Sequence, residues 1–261
     1  MKKGILLAAF GSENRQGESS YRRFDALVRQ RFPGISVRWA FTSVQMRERL
    51  ASTSSRKKSD SVRKALDRMA FEKYTHVAVQ PLHLNIGFEY NTILQAREQV
   101  AERFTALQIG APLLTDDPED ARKFAEILME SLPEGRKADE AVLFMGHGSR
   151  FSPDKQYIDV ARVLQEHDPL VLLGTLNGAV RLEHVLPQLA GVRKVWLLQL
   201  LAVVGRHTLE DMAGQEHWSW YSRLAEQGKE CVPVLRGMTE YEGLLQMWAD
   251  RLAEAVQRLQ V

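Results

Sequence analysis

Short, mostly apolar runs recur through the chain at Ile5–Phe10, Ile35–Phe41, His76–Leu82, Leu107–Ile109, Ala141–Met145, Leu170–Leu173, Val195–Leu201 and Cys231–Leu235. Runs this short read as strands, the most apolar of them covered on both faces. The segments between them carry apolar residues at helical spacing. Tyr21, Phe24, Leu27, Val28 and Phe32 fall on one side of a predicted helix that Pro33-Gly34 stops. Further helices are indicated by Val62, Ala65, Leu66 and Met69, by Phe124, Ile127 and Leu128, and by Leu244, Leu245, Trp248, Leu252 and Val256. Strands alternating with helices in this way predict βαβ units, hence an α/β fold with mainly parallel sheets covered by helices on both faces.

The two halves echo each other. Gly11-Ser12 follows the first strand, and Gly148-Ser149 follows the fifth. His76-Val-Ala-Val-Gln80-Pro-Leu82 is matched by Val195-Trp-Leu-Leu-Gln199-Leu-Leu201, and each is followed by a glycine, Gly87 or Gly205. A duplication fits this spacing, with domains at 1–134 and 135–261 joined through the polar stretch Leu132–Asp139 and the last helix free to pack back on the first domain. The basic loop Ser52–Asp60 reads as a solvated connection, with grip on an acidic ligand as the alternative.

Composition narrows the class. At 261 residues the chain suits one large or two smaller domains, too long to depend on disulfides or a structural metal for its core. The 35 basic residues nearly cancel the 33 acidic ones, so no global field argues for a nucleic acid partner. Cys231 stands alone, which excludes an internal disulfide and thiolate-cluster metal sites and favours a reducing compartment. The apolar run Gly4–Phe10 reads as a first strand rather than the core of a secretion signal, and no window approaches the ~18 apolar residues of a membrane span. A soluble, cytoplasmic protein without membrane contact is expected.

Several chemical devices are missing. Gly146-His147-Gly148 opens like a dinucleotide fingerprint, but Phe151 stands where its third glycine belongs. There is no G-x-x-x-x-G-K-[ST], H-E-x-x-H or G-x-S-x-G, so nucleotide-driven, hydride-transfer and serine-hydrolase chemistry recede. A phosphohistidine enzyme would want an arginine before the histidine, and here that residue is Gly146.

What remains is histidine at strand ends. His147 lies just beyond the fifth strand, and His207 follows the glycine turn after the seventh, ahead of a predicted helix at Thr208–Met212. Carboxyl ends of parallel strands form ligand crevices, and neutral imidazole binds cobalt, iron, nickel or zinc and accepts protons near neutral pH. His83 and Glu89 are the first-half counterparts, Glu89 as a carboxylate on the cleft wall or a favourable charge on a helix dipole, His83 as a structural residue. His76, His167, His184 and His217 have no evident partner. The aromatic stretch His217–Tyr221 reads as packing at helical spacing, or else as a platform for a flat ligand.

These residues resemble a known family, the single-subunit, ATP-independent class II tetrapyrrole chelatases, specifically the anaerobic sirohydrochlorin cobaltochelatases. The resemblance spans essentially the whole chain. It is carried by Leu6–Ser12, Ala40–Ser43, His76–His83, Gly87-Phe-Glu89-Tyr90, Phe144–Gly148 and Gly205-Arg-His207-Thr-Leu-Glu-Asp-Met-Ala213. It implies two flavodoxin-like α/β domains facing a cleft, an architecture shared more distantly with ferrochelatases. It also implies insertion of Co²⁺, with Fe²⁺ or Ni²⁺ as alternatives, into sirohydrochlorin on the route to cobalamin, without a nucleotide.

On the same resemblance, His147 and His207 match the family's metal-binding catalytic histidines, with His147 as first choice of base and Glu89 as a relay for the pyrrole protons. Ser12 and Asn177 fall at ligand-binding positions, and Asn177 stands where the family has a glutamate. That exchange removes a negative charge beside the metal, and Glu183 is the nearest substitute in sequence. Arg150 and Arg206 are candidates to pair with substrate carboxylates. The rival reading is a non-catalytic tetrapyrrole- or metal-binding carrier on the same scaffold, and a homo-oligomer is left open.

Overall fold

Ile5–Ala9 and Ala141–Met145 have apolar side chains on both faces, and in the computed structural model every one of these residues is fully buried. The structure describes residues 1–53, 59–149 and 154–259. The basic loop is therefore mostly outside the described residues, as are Arg150 and Phe151.

Strands β1 (Lys3–Ala9), β2 (Ser36–Phe41), β3 (His76–Pro81) and β4 (Ala106–Ile109) form one parallel sheet in the order β2-β1-β3-β4. Strands β5 (Ala141–Gly146), β6 (Val171–Thr175), β7 (Lys194–Leu200) and β8 (Glu230–Val234) form a second in the order β6-β5-β7-β8. The topologies are the same, and the register agrees: Leu7 lies opposite Gln80 in one sheet, and Met145 opposite Gln199 in the other. Two duplicated α/β units are the result.

Helices α1 (Arg15–Arg31), α2 (Val44–Thr53), α3 (Val62–Phe71) and α4 (Phe88–Glu98) cover the first sheet's connections. Helices α5 (Pro118–Glu130), α6 (Lys155–His167), α7 (Leu182–Val185) and α8 (Trp220–Ala225) follow, and α9 (Glu242–Gln257) comes last. Side-chain caps set the starts of α1, α3, α5 and α8. Asn14 accepts from Gln16 N at 2.9 Å before α1, and Asp117 accepts from Glu119 N at 2.9 Å with Pro118 as the first residue of α5.

The units are Met1–Leu113 together with Leu245–Val261, and Leu114–Leu244. The compact units divide at Leu113/Leu114, upstream of the boundary expected at 134/135. Helix α5 packs on α6, and Gln156 Nε2 donates to Asp116 Oδ1 at 3.0 Å, so the chain enters the second unit before α5. The polar stretch Leu132–Asp139 is no linker either, since Arg136 is ion-paired with Asp168 at 2.7 Å and donates to Glu140 O at 2.9 Å. Most of α9 belongs to the first unit. Trp248, fully buried, sets its ring edge-on to Phe24 of α1 at 6.4 Å, and Asp250 pairs with Arg31 at 2.7 Å. Each unit thus takes in the helix that follows the other unit's sheet in the chain, α5 packing on α6 in the second and α9 on α1 in the first.

The first core gathers Leu6, Leu66, Met69, Val77, Val79 and Ile93, and the second Leu143, Met145, Leu172, Leu197, Met212 and Trp220. Among the described residues no helix is long and apolar enough to cross a membrane.

Candidate functional site

Strand β5 ends on Gly146, and the next residue is His147. Strand β7, its hydrogen-bonded neighbour, ends on Leu200 and leads through Gly205 to His207. Because adjacent parallel strands deliver their following loops to one edge of the sheet, the two histidines meet. Their ring centroids are 5.0 Å apart with an interplanar angle of 69°, and both residues are exposed.

The segment His207–Met212 is one turn of π-helix rather than the expected α-helix from Thr208, and its bond runs from Ala213 N to Thr208 O at 3.1 Å. Thr208, fully buried, accepts from Gly205 N at 3.3 Å and donates to Oε1 of Gln199, itself fully buried in β7. A buried amide at the end of a central strand thus anchors the turn that carries His207. Single π-turns inside helical segments recur at functional sites.

Each ring has an acceptor at Nδ1. His147 Nδ1 lies 2.8 Å from Gly148 O, and His207 Nδ1 lies 2.7 Å from Asp211 Oδ2. A carbonyl oxygen or an ionised carboxylate can only accept, so Nδ1 carries the proton and Nε2 keeps its lone pair. This is the tautomer a metal ligand or general base requires.

The loop after His147 is held by backbone and by one carboxylate. Asn177 N donates to His147 O at 2.9 Å. Asp154, 1% exposed, accepts from Ser149 N at 2.9 Å and Ala179 N at 3.1 Å, bridging the loops that follow β5 and β6. Burial pushes its carboxyl above the usual range despite those two N–H groups and the nearby His147. Two glycines make the bridge possible. Gly148 has φ +66°, and a Cβ there would overlap Asn177 O and come within 2.7 Å of Thr175 Cβ. Gly178 has φ +94°, and its Cβ would overlap the Asp154 carboxylate. Tyr157, buried beneath, fits its ring against Gly146 and bonds to the His147–Gly148 backbone.

The other sequence candidates are distributed as follows. Asn177 sits on the loop after β6, its backbone against His147 as described. Ser12 and Glu89 belong to the first unit. The Ser12 hydroxyl accepts from Asn14 N at 3.2 Å, shaping the start of α1, and Glu89 lies in the first turn of α4. His83 bonds through Nε2 to Thr42 Oγ1 at 3.3 Å, and burial lowers its pKa to about 4. Glu183 is paired with Arg223 at 2.9 Å, and Arg206 with Glu210 at 2.7 Å. The aromatic stretch is helical only from Trp220, which is buried; Trp218 is exposed with its ring against His217 at 5.0 Å.

Two residues were missed by sequence reasoning. Asp211 carried a signal, four residues after His207 on a predicted helix. Asp154 carried none, because its partners lie five and twenty-five residues away. Among the described residues, no three His, Cys, Asp or Glu side chains cluster around a candidate metal position. The pair of imidazoles therefore offers two ligands and leaves the rest of a metal's coordination shell open.

Comparison with known proteins places the whole chain among relatives. Residues 3–257 match the family model described as cobalt chelatase (CbiK). The sirohydrochlorin cobaltochelatase CbiKC of Nitratidesulfovibrio vulgaris is 55% identical over 99% of this chain and 92% of that protein. The sirohydrochlorin cobaltochelatase of Salmonella typhimurium is 27% identical over 98% of this chain and 97% of its own. Among solved structures, SirB from Bacillus subtilis with Fe³⁺ superposes with a TM-score of 0.67 at 17% identity, covering 100% of this chain and 98% of the other. That likeness concerns the fold.

Proposed function

The chain belongs to the CbiK cobalt chelatase family, and from that membership we propose that it inserts Co²⁺ into sirohydrochlorin through His147 and His207. The observation that carries the assignment of residues is the pair of rings 5.0 Å apart, each with Nδ1 occupied by an acceptor. Hydrated Co²⁺ exchanges water for the two Nε2 lone pairs, a ligand type suited to cobalt, iron and nickel alike. Insertion forms metal–nitrogen bonds to the macrocycle while two pyrrole N–H protons leave. A neutral imidazole can accept such a proton once its Nε2 has passed the metal on to the macrocycle and its lone pair is free again, and His147 is assigned that part. Proton relay is assigned to Glu89.

No nucleotide takes part in this scheme, because nothing in it needs a phosphoryl group: the product complex is stabilised by the metal–nitrogen bonds themselves. Fe²⁺ and Ni²⁺ are alternative substrates on the same ligands.

The test follows the macrocycle's visible absorption with protein, sirohydrochlorin and Co²⁺ against a protein-free control, then with Fe²⁺ and Ni²⁺. Acceleration that His147→Ala or His207→Ala reduces at least tenfold, and that Glu89→Gln slows without weakening metal binding, is the expected result. Either histidine variant turning over like wild type would remove that residue from the scheme. Tight binding of sirohydrochlorin with no acceleration would instead identify a carrier.

A further inference from the structure

The two histidines are supported differently. The Nδ1 of His147 meets the neutral carbonyl of the next residue, on a loop held by backbone bonds and by the buried Asp154 carboxylate, which does not touch the ring. The Nδ1 of His207 meets a full carboxylate, Asp211 Oδ2 at 2.7 Å, from the same π-turn. The adjacent Arg206 is paired with Glu210 at 2.7 Å and acts on Asp211 only through space. The backbone between them is fixed from below by the buried Thr208–Gln199 contact and by the bond from Gly205 N to Thr208.

We propose that Asp211 is a positioning residue that makes His207 the anchoring ligand of the pair, so that metal capture depends on the Asp211–His207 couple more than on His147. The inference rests on the reading that these two imidazoles receive the metal. Its physical basis is threefold. A carboxylate at Nδ1 holds the proton there and keeps the Nε2 lone pair free. It also raises the ring's donor strength and places a negative charge one imidazole away from an arriving dication, which a carbonyl does only weakly. Finally, the anchored turn prevents the ring from swinging away, so the couple is set before the metal arrives. Outer partners of this kind change metal affinity by roughly 10–100-fold when removed.

The experiment measures Co²⁺ binding to the sirohydrochlorin-free protein by calorimetry, and steady-state KM values for Co²⁺ and for sirohydrochlorin separately. Asp211→Asn and Asp211→Ala should raise the Kd and KM for Co²⁺ by about 10–100-fold and leave the KM for sirohydrochlorin unchanged, whereas a merely structural loss would move both. His207→Ala should weaken Co²⁺ binding more than His147→Ala does.

The ¹⁵N imidazole spectrum of labelled wild-type protein at alkaline pH gives an independent reading, which holds even if a variant fails to fold. It should show His207 protonated at Nδ1. A wild-type His207 protonated at Nε2, or Asp211 variants that bind Co²⁺ as wild type does, would overturn the inference while leaving the two-histidine site intact. Unchanged Co²⁺ binding in both His147→Ala and His207→Ala would instead defeat the reading beneath it.

Discussion

Gly178→Ala probes the bridge that sets the His147 loop. The new methyl group would overlap the Asp154 carboxylate and lie 2.9 Å from Ser149 O. Asp154 has little room to yield, since it is 1% exposed and both its oxygens are engaged. The left-handed conformation adds about 1–2 kcal/mol of strain for an L-residue. Losing one charge-assisted hydrogen bond as the carboxylate is displaced adds about 1.5–3 kcal/mol. The expected loss is therefore about 2.5–5 kcal/mol, a large fraction of the ~5–15 kcal/mol that holds a typical domain.

Gly191→Ala is the control. Gly191 lies in the same unit at φ +78°, and nothing comes within 4 Å of its Cβ position, so it reports the strain alone. Urea unfolding of the two variants beside wild type gives the contact contribution as their difference. Equal midpoints for Gly178→Ala and Gly191→Ala would show that the Asp154 bridge does not constrain the site, and the argument for it would fail.

Three further outcomes follow from the structure. Asn177→Glu places a carboxylate on the loop bonded to His147 O and should lower the KM for Co²⁺ severalfold by charge alone, read from initial rates at varied metal; an unchanged value would show that position 177 does not face the ion. Burial lowers the pKa of His83 to about 4, so below pH ~6.5 the unfolded chain binds a proton that the folded chain refuses. Stability should fall by up to ~1.4 kcal/mol per pH unit between about pH 6.5 and 4, less in proportion to the ring's remaining exposure, and His83→Gln should flatten that slope in urea titrations. Trp248→Ala empties a fully buried site against Phe24 and should cost about 3–5 kcal/mol, with amide exchange accelerating in β1 and β3 rather than in β5 and β7.

The sheets are legible because a central strand buried on both faces, such as β1 or β5, must be written as a nearly unbroken apolar run, and each of the eight predicted runs overlaps a strand, the half-exposed edge strands β2 and β8 included. The boundary was not legible for the opposite reason. A polar, glycine-containing stretch at Leu132–Asp139 has the composition of a linker, yet Arg136 finds Glu140 beside it and Asp168 far along the chain and ties it down, and the second of these partners lies in no local window. The meeting of His147 and His207 could be anticipated from matched positions after neighbouring strands. Their supports could be read only in part. Asp211 is within one turn of its histidine, whereas Asp154 works across loops after two different strands. Gln199 was visible as the echo of Gln80, but its bond to Thr208 depends on a π-turn that side-chain periodicity does not encode.

The crossed placement of α5 and α9 has a consequence for biogenesis. As the polypeptide leaves the ribosome, the amino-terminal sheet is complete at β4, yet the helix bearing Trp248 that seals Phe24 emerges more than a hundred residues later. Until then an apolar groove on the nascent domain stays open to chaperones. A shortened transcript ending before residue 245 would release a polypeptide whose damage lies at the far end from its stop codon.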